Sequence, residues 1–150
     1  MRKIKDEIKI EGIVTIELID KKTGKTVYKG KSKNTVLWSG ATELLEAVIG
    51  SPVGAWSHLN IFKPDKTYIK SITGSFSEIS SEVGYYYVRF TAQDTSSDAY
   101  TTRYLGLASV NQADFVRQNL ANDYGTNVTK DSDKTLNVTW EIRIPFSTPP

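Results

Sequence analysis

Between Lys134 and Phe146 the chain places an apolar residue at every second position: Leu136, Val138, Trp140, Ile142, Ile144 and Phe146, with mainly polar residues between them. Successive side chains of a β-strand point to opposite faces, so this run is predicted to be one long strand with a dry face and a wet face. At about 3.4 Å per residue its length is on the order of 35 Å, beyond that of an ordinary strand. Burying six such side chains, each stabilising by roughly 1.5–3 kcal/mol, makes it the expected central strand. Asp131-Ser132-Asp133 reads as the turn that launches it.

The beginning of the chain has the same grammar. Ile8, Ile10, Val14, Ile16 and Leu18 share one face, and Lys9, Glu11, Thr15 and Glu17 share the other, with Gly12 suggesting a bulge or a close backbone approach. Asp20 to Lys25 forms a hairpin turn in which Gly24 supplies a positive φ, and a second strand returns over about 26–32. A short helix is expected over residues 40–49: Ser39 can cap it, Ala41, Leu44, Leu45, Val48 and Ile49 recur at helical spacing, and Gly50 and Pro52 end it. Further strands are expected near 57–62, 67–72, 75–80, 84–93, 102–109, 114–120, 126–130 and 134–146. In the 84–93 strand Tyr86, Val88, Phe90 and Ala92 face inward, and Tyr85, Tyr87 and Arg89 face outward. Turn signals recur at Lys63-Pro64-Asp65, Thr73-Gly74, Thr95 to Asp98 and Asn122 to Gly125. The fold class expected is all-β: an antiparallel β-sandwich with one short helix, forming a single domain over 1–150.

Composition narrows the function. With 39% hydrophobic and 24% charged residues the chain is globular rather than disordered. It has no cysteine, which excludes a disulfide scaffold, a thiolate metal site and a cysteine nucleophile. No stretch resembles the apolar core of a secretory signal, and no run of about 18 apolar residues could span a bilayer. The expectation is a soluble protein that stays in the cytoplasm or leaves it by another route. The net charge of +2 is unevenly spread: residues 1–33 carry ten Lys/Arg against five Asp/Glu. Lysines lining the wet face and turn of an exposed hairpin explain this, and they also discourage edge-to-edge pairing; an acidic partner is the alternative.

Catalytic vocabulary is sparse. His58 is the only histidine, so a metal or serine hydrolase centre lacks its usual companions. Gly24-Lys25-Thr26 ends like a phosphate-binding loop, but Ile19 stands where the first glycine belongs, and a strand rather than a helix follows. Asp94 with Asp98, and Asp131 with Asp133, read as turn residues that bond their own backbone rather than as calcium ligands. Asn127-Val128-Thr129 and Asn137-Val138-Thr139 are formal glycosylation sequons that lie on wet strand faces. Neither a cofactor nor a metal is expected.

Four segments in order carry a resemblance. They are Gly12-Ile13-Val14-Thr15-Ile16-Glu17-Leu18-Ile19-Asp20 with Thr23-Gly24; Lys33-Asn34-Thr35-Val36 with Gly40 and Leu44-Leu45; Thr102-Arg103-Tyr104-Leu105-Gly106-Leu107-Ala108; and Leu136-Asn137-Val138-Thr139-Trp140-Glu141-Ile142. Together they resemble a recurring pattern in small structural proteins of tailed bacteriophages and related viruses. Tyr104 stands where that pattern has an acidic residue, and Ala108 where it has an aromatic one. The resemblance implies a non-enzymatic virion component, a capsid decoration or tail-associated subunit. Its partners would be copies of itself and a major capsid or tail protein, with no membrane and no specific nucleic acid.

Candidate interface residues are Arg2, Lys3 and Lys5 in the basic N-terminal segment, the outward Tyr85, Tyr87 and Arg89, and Tyr100 and Arg103. Tyr85, Tyr87, Trp38 and Trp56 would instead serve a carbohydrate-binding or adhesin-like module. An enzyme reading would rest on Glu78 and Glu82 as the carboxylates of a hydrolase.

Overall fold

A computed structural model describes residues 11–36, 56–109 and 120–145 of the chain. These residues are all-β and antiparallel. The strands are β1 (Glu11–Asp20), β2 (Thr26–Val36), β3 (Trp56–Phe62), β4 (Tyr68–Phe76), β5 (Ser80–Glu82), β6 (Tyr85–Asp94), β7 (Tyr100–Ser109), β8 (Leu120–Lys130) and β9 (Lys134–Pro145). Among the described residues there is no helix, and so none long and apolar enough to cross a membrane. The helix expected over residues 40–49 lies outside the described residues, as does most of the strand expected over 114–120.

The strands form one nine-stranded sheet in the order β4-β3-β7-β8-β2-β1-β9-β6-β5, and β4 also pairs with β6. That extra pairing curls the sheet into a nearly closed barrel, with β5 appended outside the ring. Two separate facing sheets, the simplest form of the expected sandwich, are therefore not what the hydrogen bonding shows. Two strands turn the corners. β2 pairs with β1 as far as Asn34 and with β8 at Thr35 and Val36. β4 pairs with β3 from Tyr68 to Thr73 and with β6 from Gly74 to Phe76. Strands that change neighbours in this way bend the sheet around a common interior.

The interior is set by the alternation in the sequence. Val14, Ile16 and Leu18 of β1 lie opposite Trp140, Val138 and Leu136 of β9, and Trp140 and Val138 lie opposite Phe90 and Ala92 of β6. Trp140, Phe90, Val14 and Ile16 are fully buried, joined by Leu59 and Ile61 of β3 and Leu105 and Leu107 of β7. The β1–β2 turn is held by Asp20, whose Oδ1 accepts hydrogen bonds from the backbone N–H groups of Lys22 (2.8 Å) and Thr23 (3.0 Å). Gly12 causes no bulge. The ladder is regular on both its sides, and the register shift between β1 and β2 falls at Leu18 and Ile19 instead.

Two expected turns prove to lie inside strands. Thr73-Gly74 is the corner of β4, where the expected 67–72 and 75–80 strands run together. A Cβ on Gly74 would lie 2.5 Å from the Thr91 carbonyl oxygen and 2.4 Å from Phe90 Cζ, so closure requires a residue without a side chain. Asn122 to Gly125 lies within β8, which is continuous from Leu120 to Lys130. Opposite the single residue Arg103, β8 carries residues 124–127, because Asp123 faces Tyr104 and Val128 faces Thr102. Gly125 supplies the left-handed φ of this wide bulge (φ 82). The bulge tucks the buried Tyr124 over Gly30 of β2, where a Cβ would meet the tyrosine hydroxyl oxygen at 2.1 Å.

Replacing Trp140 by Ala is expected to cost about 3–5 kcal/mol in denaturant melts, because a fully buried indole leaves a cavity. Gly74→Ala is expected to cost about 1–3 kcal/mol by crowding the β4–β6 closure, whereas Gly84→Ala, with open space around its Cβ position, meets no neighbour and costs only the strain of a side chain at φ 94.

Candidate docking surface

The outer face of the barrel over β2, β1, β9 and β6 carries the most organised group of exposed side chains. Its rows follow from the register that buries the core. Arg89 of β6 lies opposite Glu141 of β9, and Tyr87 opposite Arg143. Glu141 also lies opposite Ile13 of β1, while Thr139 lies opposite Thr15, which in turn lies opposite Lys31 of β2.

Small threonines on the central strands and long cationic chains on the flanking ones leave a trough of about 510 Å³. Its floor is Ile13, Thr15, Thr91 and Thr139; its walls are Lys29 and Lys31 on one side and Arg89 and Arg143 on the other. Four cations thus surround one carboxylate.

That carboxylate is already engaged. Arg89 Nε donates to Glu141 Oε1 at 2.8 Å, and Arg143 Nε donates to Oε2. Burial works to raise the Glu141 pKa, but the bonds from Arg143 and Arg89 outweigh it and hold the carboxyl below its ordinary value. Hydrogen bonding to Glu141 likewise holds the Arg89 pKa above its ordinary value. Each guanidinium also lies over an aromatic ring: Arg89 is 4.8 Å from the Tyr87 centroid and Arg143 is 4.5 Å from the Tyr85 centroid. The two tyrosine rings are 5.9 Å apart. The cluster is electropositive, and Glu141 is ionised at neutral pH, so it cannot act as a general acid. Lys29 and Lys31 are exposed and, among the described residues, form no ion pair.

Of the expected interface residues, the fold brings Tyr85, Tyr87 and Arg89 together here. Arg2, Lys3 and Lys5 lie outside the described residues, as does Trp38, and nothing is described of the Trp56 side chain. Tyr100 belongs elsewhere: it packs against the core, and its hydroxyl donates to Asp94 Oδ2 at 2.7 Å, which withdraws that group from any docking face. Arg103 stands on β7 opposite the β8 bulge, with its guanidinium 5.8 Å from the Tyr104 ring centroid. Glu141, Arg143, Lys29 and Lys31 were not picked out from the sequence. Their signal was available only as wet-face positions, and the register is what places a carboxylate between two arginines from different parts of the chain.

Glu78 and Glu82 do not converge on a cleft; both are exposed on the segment around β5. His58 Nδ1 lies 2.8 Å from Ser57 Oγ, with no carboxylate bonded to the ring among the described residues. Among those residues no group of His, Asp and Glu is arranged to hold a metal ion. Comparison with known protein families, curated proteins and solved structures finds no match to the chain.

A second polar group closes one end of the barrel. Asp94 is buried and accepts from Ser96 N (3.0 Å), Ser96 Oγ (2.6 Å) and Tyr100, with Lys70 Nζ 3.1 Å away. Lys70 also reaches Asp98 at 2.9 Å. Lys130 is fully buried, and its ammonium donates to the carbonyl oxygens of Ser96 (2.8 Å) and Asp98 (2.6 Å). Lys21, from the β1–β2 turn, reaches the same Ser96 carbonyl at 3.2 Å. The group fastens the β6–β7 loop to β4, β8 and the first hairpin; Asp94 bonds the backbone of its own turn at Ser96, as expected, whereas the Asp98 carboxylate pairs with Lys70 instead.

Burial works to raise the Asp94 pKa, but bonds from Ser96, Tyr100 and Lys70 prevail and hold it well below the usual carboxylate range. With a depressed folded value, its stabilisation is complete above the ordinary 3.8 and is lost as pH falls below it. Asp94→Asn is therefore expected to lower stability at neutral pH by about 1–3 kcal/mol, by removing the charged acceptor of a buried hydrogen-bond group while Lys70 keeps its pair with Asp98. Its stability should also fall less steeply than wild type between about pH 4 and pH 2, read from urea melts across that range.

Proposed function

We propose that the chain is a non-enzymatic structural subunit of a tailed-bacteriophage or related virion, a capsid decoration or tail-associated protein, and that its outer β2-β1-β9-β6 face is its assembly surface. The observation that carries this reading is the trough itself. It is a broad electropositive surface on the best-packed strands, and its one carboxylate is neutralised in place by Arg89 and Arg143. A surface organised before binding loses little side-chain freedom on docking, which suits a subunit held by many modest contacts on a lattice. The four-segment resemblance described above supports the same reading.

In this view the barrel is flattened and sandwich-like, with β1, β9, β6 and the first part of β2 facing β3, β7, β8 and the first part of β4 across the core. The carbohydrate reading has less support. Arg89 and Arg143 each occupy a face of Tyr87 and Tyr85, where a sugar ring would have to stack.

Mass spectrometry of purified particles from the virus that encodes the chain should find it in many copies, in fixed ratio to the major coat protein. Carrying Lys29→Gln with Lys31→Gln, which avoids setting a second carboxylate opposite Glu17, should lower that ratio by about tenfold while leaving the melting of the purified protein close to that of the wild type. Absence of the chain from particles that contain the other structural proteins overturns the reading.

A further inference from the structure

The trough needs an acidic occupant, and the same chain displays one. Residues 77–84 include β5, which pairs only with β6 and leaves its other edge unpaired among the described residues. The segment Ser77-Glu78-Ile79-Ser80-Ser81-Glu82-Val83-Gly84 contains two carboxylates and no cation. From Ser77 to Gly84 it is exposed throughout, with Ile79 at 75% and Val83 at 99% of full exposure. Neither glutamate forms an ion pair among the described residues. Several other carboxylates are compensated by ion pairs where they stand: Asp94 and Asp98 by Lys70, Asp20 and Asp133 by Lys134, and Glu141 by its two arginines, while Glu17 stands opposite Lys29 across the β1–β2 ladder.

We propose that the Glu78–Val83 segment of one copy docks into the Lys29–Lys31 trough of a second copy, joining subunits head to tail. The charges match: two free carboxylates meet two free ammonium groups, with the Arg89–Glu141–Arg143 cluster behind them still net positive. The apolar content matches as well. Ile79 and Val83 need cover, and the trough offers Ile13 on its floor and the methylene stems of Lys29 and Lys31 on its wall.

A symmetric pairing of β5 with β5 would instead set Glu78 and Glu82 of two copies against one another, a like-charge juxtaposition. The favoured contact is therefore heterologous, and repeating it closes a ring or extends a filament. This inference rests on the assembly-subunit reading and names its self-contact.

Light scattering and sedimentation of the purified protein test it. Wild type should self-associate at low salt and do so at least about tenfold more weakly in 0.5 M salt, where charges are screened beyond a few ångströms. Glu78→Lys with Glu82→Lys, and Lys29→Glu with Lys31→Glu, should each weaken association by at least about tenfold, since each removes one half of the match. Mixing these two variants should restore complexes containing both, because charge-complementary surfaces are again present. All four positions are exposed, and the Glu→Gln and Lys→Gln pairs provide a second set should a reversal impair folding.

A wild type that stays monomeric to about 1 mM overturns the inference. So do variants that associate like wild type, a mixture that remains monomeric, or a wild type that instead binds a short DNA single strand without self-associating. A chain found in particles but monomeric in solution refutes this contact alone. One that oligomerises but is absent from particles refutes the virion reading alone.

Discussion

The packing of Trp140 between Val14 and Phe90 is the contact on which the rest of the molecule depends. A fully buried indole in the middle of β9 fixes the register of β9 against both neighbours, because a slip by one residue would turn every apolar side chain of the strand outward. The same register determines what stands on the other side of the sheet. Glu141 follows Trp140 directly and so points outward, between Arg89 on β6 and Ile13 on β1. The proposed docking surface is thus the reverse side of the core, and the strand register that packs the core also sets which of its residues are neighbours.

Closure is a separate problem, solved at a few positions. A curled sheet must bring β4 against both β3 and β6, and the Phe90 ring and Thr91 carbonyl leave no room for a side chain at Gly74. At the far end, Asp94, Lys70 and Lys130 fasten the β6–β7 loop over the barrel mouth. Lys130 is instructive: its ammonium is satisfied by backbone carbonyls rather than by a bonded carboxylate, so it orders the loop through main-chain atoms whatever side chains the loop carries. With most strand edges consumed in the ring, β5 keeps one edge unpaired among the described residues, and Glu82 with the neighbouring Glu78 restricts which surface that edge can meet.

The trough owes its character to asymmetry between short and long side chains. Threonines on β1, β6 and β9 keep the floor low, while lysines on β2 and arginines on β6 and β9 raise the walls. Since Glu141 neutralises only part of this charge, the surface attracts an anion.

The alternating patterns of β1, β6 and β9 were legible in the sequence because period-two hydrophobicity is a local property, and the Asp20 turn was legible because its hydrogen bonds join residues two and three apart. Tyr85, Tyr87 and Arg89 could be placed on the outer face for the same reason. Thr73-Gly74 and Asn122 to Gly125 were misread as turns between strands, since glycine beside small polar residues looks alike whether the chain reverses, bends at a corner or bulges. The partners of Glu141 and the buried setting of Asp94, Lys70 and Lys130 left no local trace, because they depend on strands far apart in the chain meeting in a particular register. By itself, then, the sequence determined which residues share the inner face of β1, β6 and β9, although Tyr86 and Ile144 at the ends of that face remain about half exposed. Only the tertiary structure decided which outward residues become neighbours, because strand order and closure arise from contacts between distant segments that no local pattern records.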